Sequence, residues 1–536
     1  MLEVLMLMLY ATFLGYAAGV STILSIMKLT GEHEPWHLRS PLVVIIGFAV
    51  ISCIISILHF LIPLDWHSHV IIWIFISAAL NACSKQLVSV FPDLIYRIRK
   101  SIWFNLILLL IAIVSVCIKP GSGDIADYHL QAIKWAEYYK LLLGIGNFNR
   151  PLVNNNWWFN LQAFFGCHNA GFHSVYVLNG IWYILLMIYF TRNLSEARQR
   201  LFRVPIILFL LLMVKTAFIG SVTPDIVITG IIFLCFDLYL ESKQNNASKG
   251  FYSIIISLLI FWGITIKATA LLLLFLSLLL LWFLRGNKQF RIYFLMIIAL
   301  GCIWLFPWLA GNVVRGGYLL YPFNQIDWFQ VDWKVPASYF EYDKIVLKGW
   351  GRIPHSDIYA TATLTYNQWV PAWFINLDMF NKGLVLAFIA SVISLLITSF
   401  KQKSFPMQAL AALVGWFMLF NSGPHMRFMY GYMVVIMGIA LSQYNLPSFA
   451  WARKAYMGIL CLLLIWLSVT HSDKLSFFHT QPYPQNNLTQ SSISGFPVYV
   501  VQSNNLCWDQ FPCTYYIADK IMLRTPDIND GFKVKE

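Results

Sequence analysis

Long apolar runs recur along the chain, separated by short polar stretches. A helix that crosses a bilayer needs about 20 apolar residues, with ~17 tolerated. By that measure the pattern predicts an all-α polytopic membrane protein with about fourteen spans (12–14), near 4–27, 41–63, 68–84, 101–118, 170–190, 204–221, 224–241, 250–266, 268–284, 291–310, 383–400, 406–421, 427–443 and 454–470. Basic residues then set the orientation. One series of loops holds Lys28 and Arg39; Lys85, Arg97, Arg99 and Lys100; Arg192, Arg198, Arg200 and Arg203; Lys243 and Lys249; Arg285, Lys288 and Arg291; Lys401 and Lys403; Arg453 and Lys454. The alternate short loops, near 64–67, 222–223, 267 and 422–427, hold almost none. Positive charge stays on the cytoplasmic side, so both chain ends are expected outside.

Three long segments break this rhythm, 119–169, 311–382 and 471–536, each rich in Trp, Tyr, Asn, Gly and Pro. All three fall on the expected outer face. The organisation predicted is a four-span module (1–118), a first large outer loop with an interfacial helix (119–169), six spans (170–310), a second large outer loop (311–382), four spans (383–470) and an outer tail (471–536). A transporter keeps its outer loops short, whereas an enzyme at the outer membrane surface needs material there to build a site.

Composition agrees with the pattern. Of 536 residues, 59% are hydrophobic and only 11% charged, which places the chain among membrane proteins. The net charge of +13 lies mostly in the short loops, so it orients spans and does not indicate nucleic acid. Residues 1–28 lack a basic leading stretch and exceed a signal peptide's apolar core, so they read as an uncleaved first span.

The stretch "GSGDIADYHLQAIKW" (121–135) puts Asp124, Asp127 and His129 just beyond a predicted span. Helical spacing over 127–143 gathers Tyr128, Ala132, Trp135, Ala136, Tyr139, Leu142 and Leu143 on one side and Asp127, Gln131, Lys134 and Tyr138 on the other, as in a helix lying at the lipid boundary. "GSGDIAD" is also a helix start, with Asp124 as cap. The chemical reading is different: a positioned carboxylate takes the proton of a sugar hydroxyl as the new C–O bond forms. Such a base belongs at the membrane surface when the other substrate is a sugar on a polyprenyl phosphate.

Other ionisable residues are expected at the same level. Asp225 begins a span after Pro224; Lys267 stands alone between apolar runs; His425 and Arg427 precede another span; Arg315 closes a fourth. Ionisable groups at membrane depth are functional hypotheses by default. Lys267, Arg315 and Arg427, with His425 and Asp225, could hold a phosphate leaving group. Snorkelling toward headgroups is the plainer role for each cation. Lys215 is expected to be buried near the same cavity. In "NRPLVNNNWWFN" (149–160), Asn155 and Trp157, together with Tyr128, are candidates for an acceptor polyol.

Cys507 and Cys513 in "CWDQFPC" form a disulfide if that segment is outside the cytoplasm. His129, His168 and His173 match no metal-ligand spacing, and no nucleotide-binding motif is present.

"GDIADYHLQAIKW", "GIGNFNRPLVNNNWWFN", "GNVVRGGYLLYPF" and "CWDQFPCTYY" resemble an uncharacterised family of bacterial polytopic proteins of GT-C-like type. The arrangement as a whole is similar to the GT-C superfamily of integral-membrane glycosyltransferases. That resemblance implies a polyprenyl-phosphate-linked sugar donor, a glycan, lipid or protein acceptor, and an inner-membrane enzyme whose active site faces the periplasm. It implies a base in the first outer loop, matched here by Asp124 with Tyr128 and His129 following. No cofactor is firmly implied, and the separation of Asp124 from Asp127 leaves room for a divalent metal. Four spans precede the acidic loop, where GT-C proteins have one. A polymerase or ligase acting on lipid-linked oligosaccharide, or a flippase or secondary transporter, are the alternatives.

Overall fold

A computed structural model describes residues 1–31, 40–82, 101–118, 123–167, 175–191, 197–216, 218–244, 249–286, 288–323, 325–444, 452–478, 480–484, 488–502, 506–515 and 521–535. The basic residues Arg39, Lys85, Arg97, Arg99, Lys100 and Arg192, with His168 and His173, lie outside these. Numbering helices of nine residues or more, the order is α1 (Leu2–Thr30), α2 (Ser40–Leu58), α3 (Trp66–Ala82), α4 (Ile102–Ile118), α5 (Leu130–Tyr138), α6 (Trp157–Gly166), α7 (Leu178–Phe190), α8 (Ala197–Met213), α9 (Asp225–Gln244), α10 (Lys249–Ile266), α11 (Leu274–Leu284), α12 (Phe290–Gly316), α13 (Ser338–Arg352), α14 (Tyr366–Asn376), α15 (Met379–Gln402), α16 (Met407–Ser422), α17 (Met426–Leu441) and α18 (Ala452–Thr470).

The chain is mostly helical, and a helix occupies each apolar run that the sequence marks out. Among the described residues five of them, Leu2–Thr30, Pro41–Leu58, Lys249–Ile266, Phe290–Gly316 and Met379–Gln402, are long and apolar enough to cross a membrane. Others, such as Ile102–Ile118 and Met426–Leu441, are apolar but shorter.

Helices α1 and α2 pack backbone to backbone because the contact is built from glycine. A Cβ on Gly47 would sit 1.7 Å from the Gly15 carbonyl oxygen, and one on Gly19 would sit 1.8 Å from that of Val43. Small residues four apart permit this approach, which apolar helices use for close association. Further in, the rings of Trp158, Trp182 and Trp262 meet in pairs 5.8–6.1 Å apart, joining α6, α7 and α10. Asn179 supplies the polar partner this aromatic centre needs: its Oδ1 accepts from Trp158 Nε1 (2.9 Å), and its Nδ2 donates to the Thr223 carbonyl (2.9 Å).

Arg203, expected among the loop cations, is instead 1% exposed. Its Nε and Nη2 grip Asp237 at 2.8 and 2.7 Å, and Nη2 also donates to Glu241 at 2.9 Å. Asp237 and Glu241 are one turn apart on α9, so a single guanidinium reaches both. Lys215, expected to be buried, is exposed in the turn after α8.

Two features of the long polar segments depart from expectation. The helix read over 127–143 is a π-helical turn (Ile125–His129) followed by α5, and it ends where Tyr139 becomes extended. Its expected polar face is partly covered: Gln131 is fully buried, whereas Asp127 and Lys134 are partly exposed and Tyr138 is exposed. The reason lies in the tail, which forms strands β1 (Thr489–Ile493), β2 (Phe496–Val500), β3 (Cys513–Thr514), β4 (Ile521–Leu523) and β5 (Phe532–Val534). β1 and β2 are an antiparallel hairpin, β2 pairs parallel with β3, and β4 pairs antiparallel with β5. Ile493, Val498, Ile521, Leu523 and Phe532 form one apolar cluster with Trp135, Leu142, Ile145, Phe148 and Leu152. α5 is thus a sandwiched helix. The segment 311–382 joins through Asn147 Nδ2, which donates to the Trp333 carbonyl (2.9 Å), and through the Arg524–Asp332 ion pair (3.0 Å).

Candidate functional site

Asp124 opens the π-helical turn at a helical φ/ψ, and its side chain caps nothing. This removes the plainer of its two readings, because a capping carboxylate must accept from the amides of the next turn. Its Oδ2 accepts instead from Arg427 Nη1 at 2.6 Å, across 303 residues of sequence. Arg427 Nε lies 3.3 Å from Asp225 Oδ2, and Lys267 Nζ lies 2.5 Å from Asp225 Oδ1. Four of the sequence-predicted residues therefore form one chain of alternating charge, Asp124–Arg427–Asp225–Lys267. Two acids meet two cations, which is how buried charge is made tolerable.

Each member is set by local structure. Asp225 begins α9, where unpaired amides and the helix dipole favour an anion. The preceding turn is held by Asn179, and Trp182 Nε1 donates to the Ile226 carbonyl (3.2 Å). Lys267 is the single extended residue between α10 and a 3-10 helix at Ala268–Leu273. That break leaves its side chain beside Asp225, with Nζ 3.5 Å from the centre of the Phe428 ring. Arg427 sits in the first turn of α17, and His425 is the residue before that helix. The 423–425 turn is clamped by the segment 311–382: Trp373 Nε1 donates to the Pro424 carbonyl (2.9 Å), and Gly351 is bare where a Cβ would stand 2.9 Å from Pro424 N.

His129 is 3% exposed and its Nδ1 has no partner among the described residues. Burial holds its imidazole down at about 4, outweighing the upward pull of Asp124 and Asp225, so it is neutral at pH 7. Asp127 is half-buried. Burial first, and the neighbouring Asp124 second, push its carboxyl up to about 7. Asp127 accepts from the Tyr515 hydroxyl, a partner that the sequence reading missed. A tyrosine just past the second cysteine was the only signal for it.

Beneath the charges, Asp225 and Arg427 border a small hollow of about 10 Å³, room for about one water molecule, otherwise lined by Phe209, Met213, Phe218, Ile226, Thr229 and Tyr430. Apart from one threonine, that lining is apolar or aromatic.

The remaining candidates stand elsewhere. Arg315 is buried in the last turn of α12, where its Nη1 donates to the Leu152 carbonyl (3.2 Å). A cation at a helix C-terminus suits the dipole, and no contact joins it to Asp124, Asp225, Lys267 or Arg427. Asn155 is 9% exposed and bonds the Trp308 backbone through Nδ2 (2.9 Å), while its carbonyl accepts from Trp308 Nε1 (2.8 Å). Trp157 is 1% exposed. These two are packing residues as they stand, with no face open to an acceptor. Tyr128 meets His129 edge to face at 4.4 Å. Cys507 and Cys513 are joined in a disulfide, as their spacing suggests. Among the described residues no three His, Cys, Asp or Glu side chains could hold a metal ion. The acids present do not fit one, since the carboxylates of Asp124 and Asp225 are both taken by cations.

The profile of a domain of unknown function (DUF8201) matches residues 1–434. Neither curated proteins nor solved structures include a match to the chain.

Proposed function

We propose that this chain, which belongs to the DUF8201 family, is a membrane glycosyltransferase of GT-C kind. It moves a sugar from a polyprenyl-phosphate carrier to a hydroxyl acceptor at the periplasmic face of a bacterial inner membrane. The observation that carries this reading is the Asp124–Arg427–Asp225–Lys267 chain, gathered at the ends of apolar helices. Charged groups at the ends of apolar helices suit a ligand with an anionic head and a hydrocarbon tail, and a polyprenyl phosphate is such a ligand.

In this mechanism the phosphate of the donor takes over Arg427 and Lys267, which neutralise the charge left on it as the sugar–phosphate bond breaks. Asp225 keeps both cations aimed. Loss of Arg427 to the phosphate frees Asp124, which accepts the proton of the acceptor hydroxyl as its oxygen bonds to the anomeric carbon. The electron pair of the breaking bond leaves on the phosphate oxygen, so the sugar inverts. Asp127 and the neutral His129 line the acceptor side.

The test is mass spectrometry of envelope glycans and glycolipids from cells lacking the gene and from cells complemented with wild-type or Asp124→Asn protein. A sugar mass should vanish with the gene and return only with the wild type, since removing a general base costs roughly 10²–10⁴ in rate. Full restoration by Asp124→Asn would reject the base.

One observation favours a second reading. The helix break at Lys267, beside a paired carboxylate, is the kind of feature secondary transporters use to bind ions and substrates. Uptake of a lipid-linked sugar by proteoliposomes, with no transfer product, would select it.

A further inference from the structure

The tail beyond the family-matched segment makes specific contacts with the turn that carries Asp124, Asp127 and His129. The Cys507–Cys513 disulfide closes a short loop. Trp508 N donates to the Ala126 carbonyl at 3.0 Å, inside the π-helical turn. The buried amide of Gln131 is satisfied at both ends by this loop: its Nε2 donates to the Gln510 carbonyl (2.7 Å) and the Trp508 carbonyl (3.3 Å), and its Oε1 accepts from Cys513 N (2.9 Å). Just past the loop, Thr514 Oγ1 donates to the Phe148 carbonyl (3.2 Å) and the Tyr515 hydroxyl donates to Asp127. A helix packing on a neutral surface would not need a fully paired glutamine. This arrangement fixes the rotation of the turn and of α5 against the loop.

We propose that residues 507–515 are a cap that completes the site, with Gln131 reading the disulfide loop and Tyr515 acting as the positioning residue for Asp127. The groups facing Asp127 are then Asp124 from its own turn, itself paired with Arg427, and Tyr515 from the tail. The hydroxyl favours the ionised carboxylate, while the cover of the loop favours the neutral one. The two parts of the cap therefore pull in opposite directions, and removing each should shift the acid in the opposite sense. The proposal rests on the function above only for the importance of Asp127.

Dicyclohexylcarbodiimide reacts with protonated carboxyls in apolar surroundings. Purified full-length protein in detergent is labelled from about pH 5 to about pH 9, and the adduct at Asp127 is measured by peptide mass spectrometry. In the wild type the midpoint is expected at about 7. Tyr515→Phe should raise it by about one unit, giving roughly fivefold more labelling at pH 8, with an unchanged thermal midpoint. Opening the loop in the Tyr515→Phe protein, by reduction or with Cys507→Ser/Cys513→Ser, should lower it from the Tyr515→Phe value as water reaches the acid. An unchanged midpoint in either arm overturns the cap. Shifts in a protein that transfers no sugar would reject the function and keep the cap, and transfer without shifts would do the reverse.

Discussion

Replacing Lys267 by methionine keeps the length of the side chain and removes its charge, which tests whether the alternating chain of charges is coupled. Asp225 is 7% exposed and would lose its partner at 2.5 Å, retaining Arg427 at 3.3 Å. Breaking a buried pair outright costs about 3–5 kcal/mol. With Arg427 still in place and Lys267 itself 25% exposed, the expected loss is about 2 kcal/mol. Asp225→Asn removes the acid between two cations, but Arg427 keeps Asp124 at 2.6 Å and Lys267 has a route to water, so the cost is about 1–2 kcal/mol. The double variant should cost less than the sum, with a coupling energy of about 1–2 kcal/mol. The assay is a double-mutant cycle on the purified protein in detergent, using unfolding followed by tryptophan fluorescence. Additivity within about 0.3 kcal/mol would refute the coupling, and with it the claim that Asp225 aims both cations.

Two further predictions concern the scaffold. Burial pushes Glu137 up to about 8, with the Tyr176 hydroxyl donating to it at 3.2 Å. A carboxyl raised in the folded state favours folding fully below about pH 4.5, and that contribution fades as pH rises through 8. Glu137→Gln should therefore flatten the fall in thermal midpoint between these values, and an unchanged slope would contradict the assignment. Gly47→Leu drives a side chain into the Gly15 carbonyl, so α1 must leave α2, and a loss of several kcal/mol or of folded protein on size-exclusion chromatography is expected. Normal elution and stability would show that the helices do not meet as described.

The helices were legible because continuous apolar runs need no knowledge of partners, and the runs at 101–118 and 250–266 coincide closely with α4 and α10. Much of the site was legible for a related reason: a lone Lys267, or an Asp225 at a helix start, is conspicuous against an apolar background. Arg315 carried the same signal yet bonds the backbone carbonyl of Leu152 from the last turn of its own helix, where the helix dipole and that carbonyl satisfy a cation without any ligand. Arg203 was lost among loop arginines, although Asp237 and Glu241 at one-turn spacing were the trace of its partner. The tail strands and the Tyr515 contact were not legible, because short strands carry little periodicity and a pairing across 388 residues leaves none.

That separation bears on biosynthesis. When Asp127 emerges from the ribosome, the tyrosine that will bond it is still almost four hundred codons away. Until then the carbonyl of Ala126 and the side-chain amide of Gln131 lack the partners that the tail supplies. The turn therefore reaches its final bonding only once translation is nearly done.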